Sequence, residues 1–135
     1  MTADKKSIFL YYWRLLGSGE EPVPEYRFGA MACGGPGKGL KERLKGAGLH
    51  DWRFDYCWPQ LKVFVEVEGG VFAGGRHTRG RGYSDDLEKY NTASSMNWLG
   101  FRFTPDMIET DPVLCVAQVR QGLYAHQGTL KHLEV

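Results

Sequence analysis

Three carboxylates, Asp55, Glu66 and Glu68, carry the most chemistry in this 135-residue chain. The last two stand two apart in the run Val63-Phe64-Val65-Glu66-Val67-Glu68. In a strand, residues two apart share a face, so the three valines point one way and Phe64, Glu66 and Glu68 the other. The two glutamates are then spaced about 6.5 to 7 Å at their backbones. Asp55 lies in the preceding apolar and aromatic run, 52–58, and Pro59-Gln60 between it and the run 61–68 is a short-turn signal, so the two predict a hairpin of strands 52–58 and 61–68. A two-residue loop sets Asp55 opposite Phe64 and a four-residue loop sets it opposite Glu66. Either even length brings it to the face of the two glutamates, whereas a three-residue loop sends it to the other side. Three convergent carboxylates repel one another and are stable chiefly when a divalent cation neutralises them. Ligands that are all oxygen select Mg²⁺, with Mn²⁺ as a substitute, over zinc. One or two such ions can hold a phosphodiester, lower the pKa of a bound water and stabilise the departing oxygen. The competing expectation is a solvated acidic face paired with arginines such as Arg53.

The elements that must position these groups follow from periodicity and punctuation. Ile8, Phe9, Tyr12, Leu15 and Leu16 fall at helical spacing over 5–16, with Gly17 as a left-handed cap. Gly19, Pro22 and Pro24 argue against a regular element over 17–24, and 25–28 reads as a short strand. The glycine-rich, basic stretch 29–50 reads as a mobile insertion with at most one helical turn near 40–44. After the hairpin, 69–82 is a glycine-rich loop. Ser84 is an N-cap for a helix with Asp85 and Asp86 in its first turn and a stripe of Leu87, Tyr90, Asn91, Ser94 and Trp98, ending at Gly100. A strand over 101–104 and a last helix from Asp111-Pro112 to about Gln121 complete the chain. The order helix, strand, strand, strand, helix, strand, helix predicts one α/β domain over 1–135, a mixed sheet of about four strands flanked by helices.

Around the carboxylates lie further candidates. Arg76, His77, Arg79 and Arg81 sit among glycines just after the carboxylate strand, where guanidinium groups and backbone N–H groups can meet a phosphate backbone. Glu25, ahead of the first strand, is a candidate accessory metal ligand. Lys89 stands four residues after Asp85, a spacing that makes an ordinary surface ion pair. Trp52, Tyr56 and Trp58 alternate opposite Asp55 and suit core packing, while Cys57 shares the face of Asp55 but has no base or second cysteine near it in sequence. A net charge of +1 places any nucleic-acid contact in local clusters such as Lys38, Lys41, Arg43 and Lys45. Three scattered cysteines exclude a disulfide framework and imply a reducing compartment. No apolar run approaches membrane-helix length, and a soluble protein with no membrane partner is expected.

Arg53-Phe54-Asp55, then Val63-Phe64-Val65-Glu66-Val67-Glu68-Gly69-Gly70, a His-containing basic loop, and Lys89-Tyr90-Asn91 ahead of Trp98-Leu99-Gly100-Phe101-Arg102-Phe103 resemble the PD-(D/E)XK nuclease superfamily. The likeness is to its short bacterial and phage branch, related to very-short-patch repair endonucleases and Holliday-junction-resolvase-like proteins, and covers 25–104 with 29–50 as an insertion. It implies a restriction-endonuclease-like core and Mg²⁺-dependent endonuclease action on DNA, including branched DNA or nicking, in repair or recombination. Asp55 and Glu66, with Glu68 and the Val67 carbonyl, would be metal ligands, and a cytoplasmic setting and a homodimer are expected by the same likeness. Glu68 stands where the superfamily pattern has lysine, so Lys89 is the substitute the likeness points to. The same departure motivates a catalytically inactive nucleic-acid-binding module as the alternative.

Overall fold

The computed structural model describes residues 5–17, 19–69 and 81–133, without the side chains of Arg81 and Tyr83. Four strands, β1 (Val23–Tyr26), β2 (Phe54–Trp58), β3 (Val63–Val67) and β4 (Leu99–Phe103), form one open mixed sheet in the order β1-β2-β3-β4. β1 and β3 both run antiparallel to β2, and β4 runs parallel to β3. A parallel neighbour needs a crossover, and the helix α4 (Arg81–Ser95) lies in it. On one face, α1 (Ser7–Leu16), α5 (Pro105–Thr110) and α6 (Pro112–Leu133) bury Phe9, Trp13, Ile108, Val116 and Val119 against Tyr56, Trp58 and the valines of β3. On the other, Phe28 of α2 (Phe28–Met31) and Ala93 of α4 cover Phe54, Cys57 and Phe64. With both faces covered, β3 is buried at every residue, which explains its run of β-branched side chains. The layers are therefore those of an α/β protein whose sheet is flanked by helices.

Several elements differ from the sequence expectation for identifiable reasons. Gly17 is extended, φ −90° and ψ 136°, not left-handed. A Cβ there would lie 2.8 Å from the Trp13 carbonyl oxygen, so the glycine provides room. The first strand starts two residues early and contains Pro24, which an edge strand tolerates because its outer side makes no ladder bond. The insertion is folded: it holds α2 and the eight-residue α3 (Leu40–Ala47). α4 begins at Arg81, ahead of Ser84, and ends at Ser95, because Asn97 turns left-handed (φ 69°) and releases the chain into β4. Its buried position is Ala93, flanked by half-buried Lys89 and Tyr90, while Leu87, Asn91 and Ser94 are exposed. Trp52 packs with Phe28 on the face opposite Tyr56 and Trp58. Thr104 caps the unforeseen α5, and α6 runs twelve residues beyond Gln121, its Asp111 side chain accepting from Leu114 N–H as an N-cap. Gly122 lets α6 approach β4, since a Cβ there would sit 2.5 Å from the Phe101 ring.

Gly29 joins α2 to the entry of β2, and a Cβ at that position would fall 1.9 Å from the His50 carbonyl oxygen, an atom no rotamer can move. Gly29→Ala is expected to cost about 3 kcal/mol in urea unfolding. Gly46→Ala, on the open side of α3 with nothing within 4 Å, is expected to gain about 0.5–1 kcal/mol.

Candidate functional site

The turn between β2 and β3 has four residues, because Trp58 pairs with Val63, Cys57 with Phe64 and Tyr56 with Val65. One further step of the same register sets Asp55 opposite Glu66, and here side chains take over the ladder. The Val67 N–H donates to Asp55 Oδ2 at 2.8 Å, and the Asp55 N–H donates to Glu66 Oε2 at 3.3 Å. Across the other edge, β1 pairs Pro24 with Tyr56 and Tyr26 with Phe54, stepping over Glu25, whose φ is +50°. Strand alternation fails at the same place: Phe54 and Tyr56, two apart, pack in opposite clusters. A local distortion of this kind re-aims a side chain, and the one out of step here is Phe54, which packs with Cys57 and Phe64 beside Asp55.

Asp55 and Glu66 are 8% and 6% exposed, and buried charges of one sign require partners. Lys6, at the N-cap of α1, places Nζ 2.9 Å from Asp55 Oδ1, and its carbonyl accepts from Tyr56 Oη at 2.9 Å, which fixes the start of the helix over the strand. Lys89 donates to Glu66 Oε1 from α4, and its ammonium lies over the rings of Phe54 and Tyr90 at 5.8 and 5.4 Å. Tyr90 Oη reaches both Glu66 Oε1 (3.1 Å) and Glu68 Oε1 (3.3 Å). Glu68 also accepts from Arg102 Nε at 2.6 Å, and the Arg102 guanidinium stacks 4.0 Å over the Tyr90 ring. Lys6, Asp55, Glu66, Glu68, Lys89 and Tyr90 line a polar pocket of about 410 Å³ together with Glu25, Arg53 and Asp86.

Protonation follows from these contacts. Burial raises the Glu66 carboxyl to about 7, against the opposing pull of Lys89 and with the added push of Asp55. The hydrogen bond with Asp55 holds the Lys6 ammonium above its ordinary value, although partial burial works the other way. Burial, then the charges of Glu66 and Glu68, push the Tyr90 phenol well up, so it remains a donor near neutral pH. Burial lifts the Cys57 thiol to about 12, which leaves it protonated and a poor nucleophile.

Asp55, Glu66, Glu68, Lys89, Val67 and Glu25 all line this one pocket. Lys89 makes its ion pair with Glu66, and the described residues contain no Asp85–Lys89 pair. Asp55 and Glu66 are buried while the Glu68 side chain is 26% exposed, and the cations on these carboxylates are Lys6, Lys89 and Arg102, with Arg53 lining the same pocket. Arg76, His77 and Arg79 lie outside the described residues, as does the side chain of Arg81. Sequence reasoning missed Lys6, Tyr90 and Arg102 as members of the site. For Arg102 a signal existed, since a strand parallel to β3 sets it beside Glu66. Lys6 is 49 residues from Asp55 and no local pattern joins them. Among the described residues, no group of three or more His, Cys, Asp or Glu side chains is arranged to hold a metal. The Asp55–Glu66 pair nevertheless suits a hard divalent cation: the donors are oxygen, their orientation is set by backbone N–H groups, and both already draw an ammonium group. No family model, curated protein or solved structure matches the chain.

With its carboxyl raised above the usual 4.5 to about 7, folded Glu66 keeps a proton that the unfolded chain has lost. Its contribution to stability therefore falls as pH rises from about 4.5 to about 7. In metal-free protein, the Glu66 side-chain ¹³C signal should titrate near pH 7, and Glu66→Gln should flatten stability across that window. A midpoint near 4.5 would show that Lys89 outweighs burial.

Proposed function

We propose that this protein is a metal-dependent endonuclease acting on DNA, built on a restriction-endonuclease-like core. The observation that carries the reading is the buried Asp55–Glu66 pair on adjacent strands, with the Lys89 ammonium on Glu66, in one open polar pocket. Two carboxylates with a lysine beside them suit phosphodiester hydrolysis, since that reaction needs charge neutralisation, an oriented water and a proton carrier. The motif likeness around Asp55, Glu66 and Glu68 supplies the choice of DNA and of Mg²⁺, with Mn²⁺ as its substitute.

Asp55 and Glu66 would hold the cation, with the Val67 carbonyl beside them. When bound, Mg²⁺ supplies Lewis-acid polarisation of a phosphoryl oxygen and a lowered pKa for water. Lys89 Nζ, within hydrogen-bond reach of Glu66, would orient the incoming water, whose proton passes to a basic group such as the Glu66 carboxylate, while the departing oxygen takes a proton from solvent. Tyr90 fixes the rotamers of Glu66 and Glu68 through one hydroxyl, so Glu68 acts as a tether for Arg102 and Tyr90 as well as a candidate ligand. Lys6 and Arg53 meet a phosphate in the pocket. One observation favours a second reading, a binding module without catalysis: Glu68 is held by Arg102 and Tyr90 and does not complete a three-carboxylate group.

Duplex, branched and single-stranded DNA incubated with Mg²⁺ separates the two. The enzyme reading expects cleavage that chelation abolishes, with losses on the order of 10³-fold in Asp55→Ala and Glu66→Ala and on the order of 10²-fold in Lys89→Met. Salt-sensitive binding with no Mg²⁺-dependent product would establish the binding module, and equal cleavage by all variants would place the activity elsewhere.

A further inference from the structure

We propose that α3 and the turn before it form a second nucleic-acid contact surface, which grips the phosphate backbone away from the reaction centre. Its partner class rests on the proposed action on nucleic acid. The surface itself rests on the structure of residues 33–47.

The sequence reads this segment as a mobile insertion, and the structure gives it a built-in brace. Arg43 Nη1 donates to the Cys33 and Gly35 carbonyls at 2.5 and 2.9 Å, and its Nη2 donates to the Lys38 carbonyl at 3.1 Å. The chain wraps that guanidinium through Gly34, Gly35, Gly37 and Gly39, with φ of 100°, 94°, 123° and 77°, a path that side chains with a Cβ rarely follow. One cation of the cluster is thus taken up by internal carbonyls, and Leu44 is buried beneath the helix.

The remaining cations are presented to solvent. Lys38, Lys41 and Lys45 are all exposed, and none makes an ion pair among the described residues. Lys41 and Lys45 are four apart and share a helical face, and Lys38 lies three residues before Lys41 in the braced turn. Residues 38–45 carry four cations against the single carboxylate of Glu42, whereas the whole chain nets only +1. Three solvated ammonium groups on a rigid base match a polyanion of regularly spaced phosphates, which each can neutralise with release of a counterion.

The surface is also within reach of the pocket. Arg53, which lines the pocket, follows Lys45 by eight residues. Even a fully extended chain of that length spans no more than about 28 Å, less than one duplex turn of roughly 34 Å. His50, between them, stands 3.7 Å from Glu88, the neighbour of Lys89 on α4. The separation of the two is therefore within the length of a single duplex turn.

The test is binding of a fluorescent 20-base-pair DNA duplex in EDTA, so that cleavage plays no part, across a salt series. The triple variant Lys38→Gln, Lys41→Gln, Lys45→Gln should bind at least tenfold more weakly at low salt. Its log affinity against log salt should flatten by about 2 to 3, near 0.9 for each phosphate no longer neutralised. The triple Lys→Arg variant should keep the wild-type slope, which separates charge from folding. Unchanged slope and affinity in the Gln variant would overturn the proposal, as would a loss confined to phosphatidylserine vesicles. A protein that fails to cut DNA but shows the flattened slope would sink the enzyme reading and leave this surface standing.

Discussion

Burying Asp55 beside Glu66 is the constraint around which the rest of the molecule is arranged. Two carboxylates taken out of water in adjacent positions destabilise the fold by several kcal/mol for each that is charged, unless they are paired or one keeps its proton. Here the compensation comes from four directions at once. The β3 backbone supplies the Val67 N–H, β2 supplies the Asp55 N–H, α1 supplies Lys6 and α4 supplies Lys89. Each contact pins an element that would otherwise be held by apolar packing alone. The position of α1 over β2 is fixed at Lys6 by both its ammonium and its carbonyl.

Two apolar clusters make this arrangement rigid. The larger one anchors α1, α5 and α6 through Phe9, Trp13, Ile108 and Val119, and so sets where the Lys6 end of α1 falls. The smaller one is a run of stacked rings, Trp52, Phe28, Phe54, Phe64 and Tyr90, whose planes are within 15° of each neighbour. Its last member, Tyr90, carries the hydroxyl that joins Glu66 to Glu68. Packing and chemistry therefore meet in one residue, and Gly100 makes room for the ring beneath it: a Cβ there would lie 2.1 Å from the Phe64 ring.

Much of this is legible in residue types. The valine alternation identifies β3 and its buried face, and an even turn length brings Asp55 to the side of Glu66, although the residues alone leave two, three and four open. The turn holds four because Leu61 and Lys62 are drawn into it: their N–H groups donate to the Trp58 and Pro59 carbonyls, and Lys62 takes φ +53°. That choice depends on tertiary pairing with β4, where Leu99 N–H bonds the Lys62 carbonyl. The insertion escapes a sequence reading because its glycines look like flexibility until Arg43 is seen to hold them. Tyr90 reads as part of an apolar stripe since periodicity weighs its ring and not its hydroxyl. The pairing of Lys6 with Asp55 joins distant parts of the chain and leaves no trace in local spacing.

The proposed metal chemistry requires Asp55 and Glu66 to be the two ends of one divalent-cation site. Anomalous scattering from a crystal soaked in Mn²⁺ tests it most directly. The account predicts a peak between the two carboxylates, with the Lys6 ammonium displaced from Asp55. A well-ordered pocket with no peak, or Mn²⁺ bound only elsewhere on the chain, would contradict it.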